Sequence, residues 1–510
     1  MISAQFGIII AIIAYLGIMM YIGVYFSKRG GAGSTDEFYL GGRKLGPLVA
    51  AMSAEASDMS SWLLMGLPGV AYLTGICDAG WTALGLGIGT YFNWLLVARR
   101  LRRYTIACGT ITIPDFFSRR FRDEKNILSC IAALAILIFF IPYTASGFKA
   151  IGTLFSSLFS VDYHAAMIIG ALIIIAYTTM GGFLAVSTTD LMQSVVMSIA
   201  LIVIIIFGLS LAGGWGAVME NAASLPGYLS MTQMYDQAGN TSTPYGFITI
   251  VSTMAWGLGY FGMPHILLRF MAIEDENKIS LSRRVASVWV FIAMFIAIVI
   301  GVIGYSVSLT GKLPVFATSS ESETVIIRLA GLLAEHGFLL SLIAGIVLAG
   351  ILASTMSTAD SQLLTSASGV SQNLLQGFLN IKMSTATQMA VARLTVLGIS
   401  VIAIILAWNP DSSVFTIVSF AWAGFGASFG PVMLFSLFWK RTNFYGALAG
   451  MVSGAVMVFA WKYGVRPLGG AWNVYELLPA FLVASVFILV VSLATAPPSK
   501  EICDEFDSIG

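Results

Sequence analysis

Two carboxylates stand inside a long apolar part of the chain, in the stretch SAEASDMSSWLLMGLPG at residues 53–69. The stretch ends in Gly-x-Pro, and these residue types weaken or remove helical hydrogen bonds. Backbone that is freed at membrane depth persists only where protein or a water-filled cavity satisfies it. We therefore expect the carbonyl groups of Ala56 and Met59 to face a small hard cation, with Asp58 supplying negative charge nearby. A loop at the membrane surface with solvated Glu55 and Asp58 is the alternative, but ionisable residues within membranes are usually functional.

A stripe of hydroxyl groups marks a second segment, ILASTMSTADSQLL at residues 351–364. Its hydroxyl residues fall at i, i+3, i+4 and i+7, which places them on one face of a helix. They are Ser354, Ser357, Thr358 and Ser361, and Asp360 lies beside them. Such a stripe can supply half of an alkali-cation site, but small hydroxyl residues also let membrane helices pack closely. The presence of residues 53–69 in the same chain favours the cation site.

A Gly-Gly break interrupts the apolar pattern of residues 177–194, YTTMGGFLAVSTTDLMQS. Asp190 and Gln193 lie three residues apart on the helix that follows. Judged on spacing alone, an interfacial loop with a capping Asp is the simpler explanation of this segment.

Aromatic residues surround another break, in WGLGYFGMPHILLRFMA at residues 256–272. Trp256 and Tyr260 precede Gly262 and Pro264, so the aromatic rings can wall a cavity for a small organic solute. A membrane-interface aromatic belt or plain packing explains the same pattern equally well.

The composition identifies the chain that must position these segments. Of the 510 residues, 58% are hydrophobic and 10% are charged, against roughly 25% charged in a typical soluble domain. This is the composition of a membrane protein. The net charge of +1 gives no sign of nucleic-acid binding, and the three scattered histidines and the four cysteines without a CxxC pair indicate neither zinc nor a disulfide framework.

Apolar runs predict about thirteen spans, because a helix needs about 20 apolar residues to cross the hydrocarbon layer. The runs are 5–27, 46–74, 79–98, 127–150, 163–181, 190–213, 246–264, 285–309, 326–368, 388–407, 414–438, 443–462 and 474–495. The first run lacks a basic leading region and a cleavage site, so we interpret it as a retained span rather than a signal peptide. The run at 326–368 is long for one span, which predicts that its helix breaks or extends beyond the membrane.

Lysine and arginine predict the orientation. Most of them fall on one side of the predicted spans, including the clusters at 99–103, 119–125 and 269–284. We therefore expect the N-terminus outside and the C-terminus in the cytoplasm, which an odd number of spans requires.

The organisation predicted is one transmembrane domain. It comprises an extra N-terminal helix at 1–27, a first repeat at 46–213, an inverted repeat at 246–438, two C-terminal helices at 443–495 and a short cytoplasmic tail at 496–510. Each repeat holds about five spans and opens with a Gly- or Pro-interrupted one, a pattern typical of secondary transporters.

These segments together resemble the sodium/solute symporter family, and within it the sodium/proline symporters. The resemblance rests on the order and spacing of ASDMSSWLLMGLPG (56–69), GGFLAVSTTD (181–190), WGLGYFGMPHILLRFMA (256–272) and MSTADSQLL (356–364), and it runs through nearly the whole chain. It implies an all-α polytopic membrane protein of about thirteen helices with the five-plus-five inverted-repeat core, containing broken helices, of amino-acid transporters.

The resemblance also implies a role for individual residues. It implies a sodium site formed by the backbone carbonyls of Ala56, Met59 and Ser354 and by the hydroxyls of Ser357 and Thr358. Asp58 resembles the essential carboxylate of the broken helix, and Asp190 the acidic residue on the inner sodium path. The residues implied for substrate binding are Ser60, Trp62, Gly66, Tyr143, Trp256, Tyr260 and Pro264.

One position departs from the family pattern, because Asp360 stands where sodium/proline symporters carry a serine. Sialic-acid symporters of the same family use hydroxyls on this face, together with an acidic residue at the position of Asp190, for a second sodium ion. We therefore hypothesise that Asp360, Ser361 and Asp190 form a second cation or proton site. No role is assigned to Glu55.

The expected function is sodium-coupled uptake of L-proline by alternating access across the inner membrane of a bacterium. The expected partners are proline, the sodium ion and the lipid bilayer, with no nucleic acid and no covalent chemistry. The alternatives are a symporter of the same family for a sugar, sialic acid, pantothenate or another amino acid, and a membrane sensor or channel. An intramembrane enzyme is disfavoured because the sequence has no HExxH, G-x-S-x-G or Walker A motif.

Overall fold

The computed structural model describes residues 2–29 and 35–509, and its regular structure is almost entirely helical. The helices before residue 224 are α1 (Ile2–Arg29), α2 (Thr35–Leu40), α3 (Pro47–Asp58), α4 (Leu67–Thr74), α5 (Ile76–Phe92), α6 (Ala98–Ala107), α7 (Ile113–Arg120), α8 (Ile127–Phe159), α9 (Tyr163–Gly181), α10 (Phe183–Ala212) and α11 (Trp215–Ala223). An antiparallel hairpin follows, formed by β1 (Gln233–Asp236) and β2 (Thr241–Pro244), with Gln233 opposite Pro244.

The remaining helices run to the C-terminal tail. They are α12 (Phe247–Met254), α13 (Pro264–Ala272), α14 (Ile279–Leu309), α15 (Ser319–Ser322), α16 (Val325–Ala334), α17 (Phe338–Ser368), α18 (Thr385–Leu406), α19 (Val414–Phe438), α20 (Phe444–Ala460), α21 (Leu477–Ala494) and α22 (Lys500–Ile509). Wider π-type turns occupy Trp62–Gly66, Asn93–Val97, Gly369–Phe378 and Trp461–Val465, and tighter 3₁₀ turns occupy Gly41–Arg43, Ala255–Gly262, Glu276–Lys278, Arg466–Leu468 and Gly470–Trp472.

The predicted spans correspond to helices. Nine helices in the described part of the chain are long and apolar enough to cross a membrane. The other predicted spans are α5, α9 and two broken units, α3–α4 and α12–α13. The long run at 326–368 is broken as predicted, because α16 ends before Gly337 and α17 begins after it. Gly337 has a φ of 115°, a left-handed conformation that favours glycine.

Apolar side chains cover the outside of the bundle. Ile13, Ile169, Ile206, Phe295 and Ile405 are each at least 60% exposed. Water-soluble proteins rarely expose large continuous apolar patches. These surfaces therefore face lipid, in agreement with a multi-pass membrane protein.

Both broken units have a defined cause. In the first, Met59 leaves the helical conformation with a ψ of 54°, and the π-type turn Trp62–Gly66 separates it from α4. In the second, Met263 is extended with a ψ of 108° immediately before Pro264, because a proline disfavours the helical conformation of the residue before it. Pro68 lies in the first turn of α4, where the missing N–H costs nothing, so the first break falls earlier than the Gly-x-Pro end of the predicted segment.

Glycines bring α5 against the second broken unit. A Cβ atom on Gly85 would lie 2.4 Å from the Met254 oxygen, and one on Gly89 would lie 2.3 Å from the Gly257 oxygen. Side chains at these positions would push the two backbones apart. The glycine run at 85–89 is therefore a packing feature of the α5 face.

The two ends of the bundle differ in character. One end carries α6 with its arginine cluster and is called the basic face; the other carries β1 and β2 and is called the hairpin face. At the basic face the two broken units are joined, because the Leu45 N–H donates to the Ala272 oxygen at 3.0 Å and the Glu274 N–H to the Leu45 oxygen at 2.9 Å. The tail predicted at 496–510 contains α22, and its Glu505 pairs with Arg122 at 2.5 Å on the same face. Met1 and Gly510, the ends of the predicted domain, lie outside the described residues.

Candidate functional site

The break after α3 frees a backbone carbonyl that another helix then contacts. In a continuous helix the Ser60 N–H would bond to the Ala56 oxygen, but here it donates to the Asp58 oxygen at 2.7 Å. The Ala56 oxygen instead accepts from the Ser357 hydroxyl of α17 at 2.7 Å. The two predicted halves of the cation site therefore meet across the break.

The other predicted cation ligands lie around the same contact. Ser357 Oγ is 3.2 Å from the Ser354 oxygen, and Thr358 Oγ1 is 3.1 Å from that oxygen. Met59 is the first residue beyond α3 and belongs to the non-helical segment. Carbonyl and hydroxyl oxygens thus lie close together between α3 and α17, an arrangement that suits a hard alkali cation.

A small cavity borders this oxygen cluster. Ser60, Tyr143 and Thr358 line it, with Gln362 and the α8 residue Gly147 on its other sides. The Tyr143 hydroxyl also donates to the Asp58 backbone oxygen at 3.1 Å. Two predicted substrate residues and one predicted sodium ligand therefore line one narrow crevice.

An aromatic wall stands on the hairpin-face side of the break. The ring centroids of Trp62 and Trp256 are 6.2 Å apart, and this contact joins the two broken units. Trp422 of α19 donates its indole N–H to the Trp256 oxygen at 2.7 Å and meets the Tyr260 ring at a centroid distance of 5.1 Å. Tyr475 stacks on Trp256 at 5.2 Å. Trp422 and Tyr475 were missed by the sequence analysis, because nothing in their local sequence distinguishes them from ordinary core aromatics.

Gly66 and Pro264 have backbone functions in this region. A Cβ atom on Gly66 would lie 3.2 Å from the Cβ atom of Phe415, so glycine lets the π-type turn approach the start of α19. Pro264 is buried at the start of α13, where it ends the non-helical segment that carries Trp256 and Tyr260. Both residues shape the site whether or not they contact a solute.

Asp58 itself is buried in the last turn of α3. Its Oδ2 atom accepts from the Tyr260 hydroxyl at 2.5 Å, whereas Oδ1 has no hydrogen-bond partner among the described residues. A buried carboxylate normally has its oxygens satisfied. The Asp58 side chain is thus held by Tyr260 of the second broken unit, with one oxygen left unbonded in the described structure.

On the basic-face side, Asp190 lies in a buried cluster of polar side chains. The sequence analysis named only some of the residues in this cluster. Asp190 Oδ2 accepts from the Ser53 hydroxyl at 2.6 Å and from Arg269 Nη2 at 3.1 Å. The same Arg269 nitrogen donates to the Ser361 hydroxyl at 2.6 Å. Asp360 Oδ1 lies 3.4 Å from Ser361 Oγ. We call these five side chains the inner cluster; they tie α3, α10, α13 and α17 together.

Arg269 is therefore the residue that the hypothesis of a second cation site lacked. Its guanidinium lies between Asp190 and Ser361 and stacks on the Phe183 ring at 5.1 Å. The sequence contains an indication of this pairing. An arginine in the mostly apolar stretch 256–272 is costly in a membrane unless it has a buried partner.

A second buried ion pair lies on the hairpin-face side. Lys149 Nζ and Glu323 Oε2 are 3.2 Å apart, and both side chains are almost completely buried. Glu323 also accepts from the Ser413 hydroxyl at 2.7 Å and from the backbone N–H groups of Val414 and Phe415 at 3.0 and 3.1 Å. This carboxylate caps α19 and holds it to α8. The oxygen cluster consequently lies between two buried ion pairs, one towards each face.

Comparison with protein families and relatives gives one consistent result. The model of the sodium:solute symporter family matches residues 38–454. A sodium/proline symporter of Haemophilus influenzae is 42% identical over 501 residues, 97% of this chain and 95% of that protein. A sodium/proline symporter of Staphylococcus aureus is 40% identical over 505 residues, 98% of this chain and 94% of that protein.

Two solved structures share the fold. A sodium-coupled sialic acid symporter in a substrate-bound outward-open state has a TM-score of 0.77 at 18% identity, covering 97% of this chain and 99% of that one. A nucleobase-cation-symport-1 family transporter in a closed conformation has a TM-score of 0.54 at 13% identity, covering 94% and 100%.

Proposed function

This chain belongs to the sodium:solute symporter family, and we propose that it transports L-proline into the cell together with sodium by alternating access. Membership makes it a multi-pass membrane transporter with sodium as the coupling ion, not an enzyme. The assignment of proline rests on the two relatives with about 40% identity over nearly their full length.

The contact between the Ala56 oxygen and the Ser357 hydroxyl carries the proposal for sodium. We infer that sodium binds among the oxygens of Ala56, Met59, Ser354, Ser357 and Thr358. An ion in this position replaces the direct contact with stronger ion–oxygen interactions and braces α3 against α17. Asp58 strengthens binding through its charge.

We propose that proline occupies the space between the small cavity and the aromatic wall. Its apolar ring would pack beside Trp62 and Trp256, and its carboxylate would lie near N–H groups of the break after α3. Ser60 and Tyr143 border this space. The alternative is a symporter of the same family that carries another small solute, with an aromatic wall shaped for that solute. Competition between proline and a panel of other solutes distinguishes the two possibilities.

The two buried ion pairs are proposed to be gates. We assign the basic face to the cytoplasm, in agreement with the distribution of lysine and arginine, and the location to the inner membrane of a bacterium. The Lys149–Glu323 pair then closes the outside, and the inner cluster closes the cytoplasmic side, with Asp190 on the path of sodium exit. Residues 46–213 and 246–438 act as inverted repeats that move against each other, driven by the sodium gradient and a membrane potential worth about 2.3 kcal/mol per charge per 100 mV.

Uptake into proteoliposomes tests the proposed function. Purified protein is expected to accumulate radiolabelled L-proline above its external concentration only when an inward sodium gradient is imposed. Unlabelled proline should compete, and glucose, sialic acid, pantothenate and alanine should not. Sodium-dependent competition by another member of this panel, without proline uptake, would overturn the solute. Folded protein without sodium-dependent transport of any solute would overturn the symport proposal.

Replacement of Ser357 by alanine is expected to weaken sodium binding. The change removes one oxygen ligand of a cation, an interaction of about 1.5–3 kcal/mol, and therefore raises the sodium concentration for half-maximal uptake ~10- to 100-fold. The maximal rate at saturating sodium should fall much less. Uptake measured against sodium concentration reports both values.

Thr365→Ala provides the matched control for that variant. Thr365 lies on the same helix, and its hydroxyl bonds to the Ser361 oxygen of its own helix at 2.8 Å. Its sodium dependence should match that of the wild type. Equal sodium dependence in Ser357→Ala and Thr365→Ala would contradict the placement of the ion.

A further inference from the structure

Two buried carboxylates share one face of α3 near its broken end. Glu55 and Asp58 are three residues apart, which places them side by side on a helix, and each is only 1% exposed. Glu55 Oε1 accepts from the indole N–H of Trp94 at 3.1 Å, and Asp58 Oδ2 accepts from the Tyr260 hydroxyl at 2.5 Å. The other oxygen of each carboxylate is buried without a hydrogen-bond partner among the described residues.

Three of the four other buried carboxylates in the described part of the chain have a cationic partner, whereas Asp360 has none within 4.0 Å and its Oδ2 atom is also unbonded there. Asp190 lies 3.1 Å from Arg269, Glu323 lies 3.2 Å from Lys149, and Glu476 lies 2.8 Å from Arg466. Asp360 joins the same inner cluster as Arg269. Neither Glu55 nor Asp58 has a basic nitrogen within 4.0 Å among residues 2–29 and 35–509. The sodium site proposed above uses neither carboxylate as a ligand.

Asn93 adds a third unbonded oxygen. Its Nδ2 atom donates to the Tyr260 backbone oxygen at 3.0 Å, which fixes the amide, and its Oδ1 atom is buried without a partner in the described structure. Asn93 directly precedes Trp94, the donor to Glu55, and contacts Tyr260, the donor to Asp58. Three buried oxygens that lack donors are therefore held around the same two aromatic side chains. Carboxylate and amide oxygens are the ligands of hard cations.

We propose that Glu55, Asp58 and Asn93 bind a second sodium ion, which crosses the membrane with each solute molecule. This inference rests on the proposed symport. It places the second cation on the α5 side of α3, and not in the inner cluster, where the Arg269 guanidinium already supplies a positive charge. The Tyr143 hydroxyl contacts the Asp58 backbone, and the inner cluster surrounds Ser53, nearer the start of α3.

The number of cations per proline tests this inference. Radioactive sodium and proline fluxes are measured in proteoliposomes, and the reversal potential of transport gives the charge moved per proline. We expect two charges per proline in the wild type and one in Glu55→Gln. Two sodium ions per proline in the wild type support the site, and one sodium ion per proline overturns it.

Asp360→Ser separates the two candidate positions. The ratio stays at two in this variant if Glu55 holds the second cation and falls to one if the inner cluster does, and the latter result overturns the inference. A wild-type ratio of one, or an unchanged ratio in Glu55→Gln, overturns it as well. Absence of proline flux in the folded wild type instead contradicts the proposed function, so the two failures are distinguishable.

Asn93→Ala keeps the test decisive if Glu55→Gln does not fold. This variant retains both carboxylates and loses one neutral oxygen ligand. We expect the ratio of two to persist while the sodium concentration for half-maximal uptake rises ~10-fold, and an unchanged sodium dependence would count against the site.

Discussion

Asp58→Asn is expected to abolish sodium-driven accumulation of proline. The substitution keeps the size of the side chain and removes a carboxylate in the last turn of α3, two residues after Ala56 and directly before Met59. At an effective dielectric constant of about 20, a charge ~6–8 Å from an ion contributes ~2–3 kcal/mol. Sodium affinity should therefore fall about 50-fold from the lost charge alone. Because coupling requires the ion to brace α3 against α17, accumulation should fail at ordinary sodium concentrations.

Tyr260→Phe separates the charge of Asp58 from its hydrogen bond. The variant keeps the carboxylate and loses the 2.5 Å contact from the hydroxyl. A hydrogen bond to a charged group contributes about 1.5–3 kcal/mol, so we expect a smaller loss than in Asp58→Asn. Sodium-dependent uptake in proteoliposomes, with thermal unfolding in detergent to establish folding, measures both variants. Accumulation by folded Asp58→Asn at the wild-type rate would remove Asp58 from the coupling.

The position of the first break shows what local sequence can predict. The segment at 53–69 was identified correctly as a broken helix with freed carbonyl groups near Ala56. Gly66 and Pro68 suggested a break at their own positions, yet the backbone leaves the helix at Met59. Proline is compatible with the first turn of α4, so its presence marks the start of the next helix. The breaking residues therefore predicted that a break exists, and the carbonyl groups expected to be freed, those of Ala56 and Met59, lie where the structure breaks the helix.

Partners that come from distant elements could not be predicted in this way. The hydroxyl stripe on α17 follows from helical periodicity, and its contact with Ala56 was expected from the combination of two segments. The pairing of Arg269 with Asp190 joins α13 to α10, and that of Lys149 with Glu323 joins α8 to the segment before α16. These pairs depend on how helices pack, which no single stretch of sequence specifies. Glu55 had no assigned role for the same reason, since its partner Trp94 comes from the π-type turn after α5.

Removal of Arg269 is expected to have the second large effect. In Arg269→Met the carboxylate of Asp190 stays buried without its cation, and breaking a buried ion pair in this way costs about 3–5 kcal/mol. Ser53 and Ser361 also lose a donor. The closed arrangement of the cytoplasmic side should therefore lose most of its stability. We expect uptake against a gradient to fail and the temperature of unfolding in detergent to fall by several degrees.

A charge-neutral double variant decides whether the pair itself is responsible. Arg269→Met combined with Asp190→Asn leaves no unpaired charge in that contact, so the double variant should unfold at a higher temperature than Arg269→Met alone. In a double-mutant cycle the interaction between the two sites should amount to at least ~1 kcal/mol. Recovery of stability without recovery of transport would fit Asp190 as a residue on the path of the ion. If the two substitutions destabilise the protein additively, Arg269 does not hold the cytoplasmic gate through Asp190, and its guanidinium must act through Ser361 and the His265 oxygen, which it contacts at 2.6 and 2.8 Å.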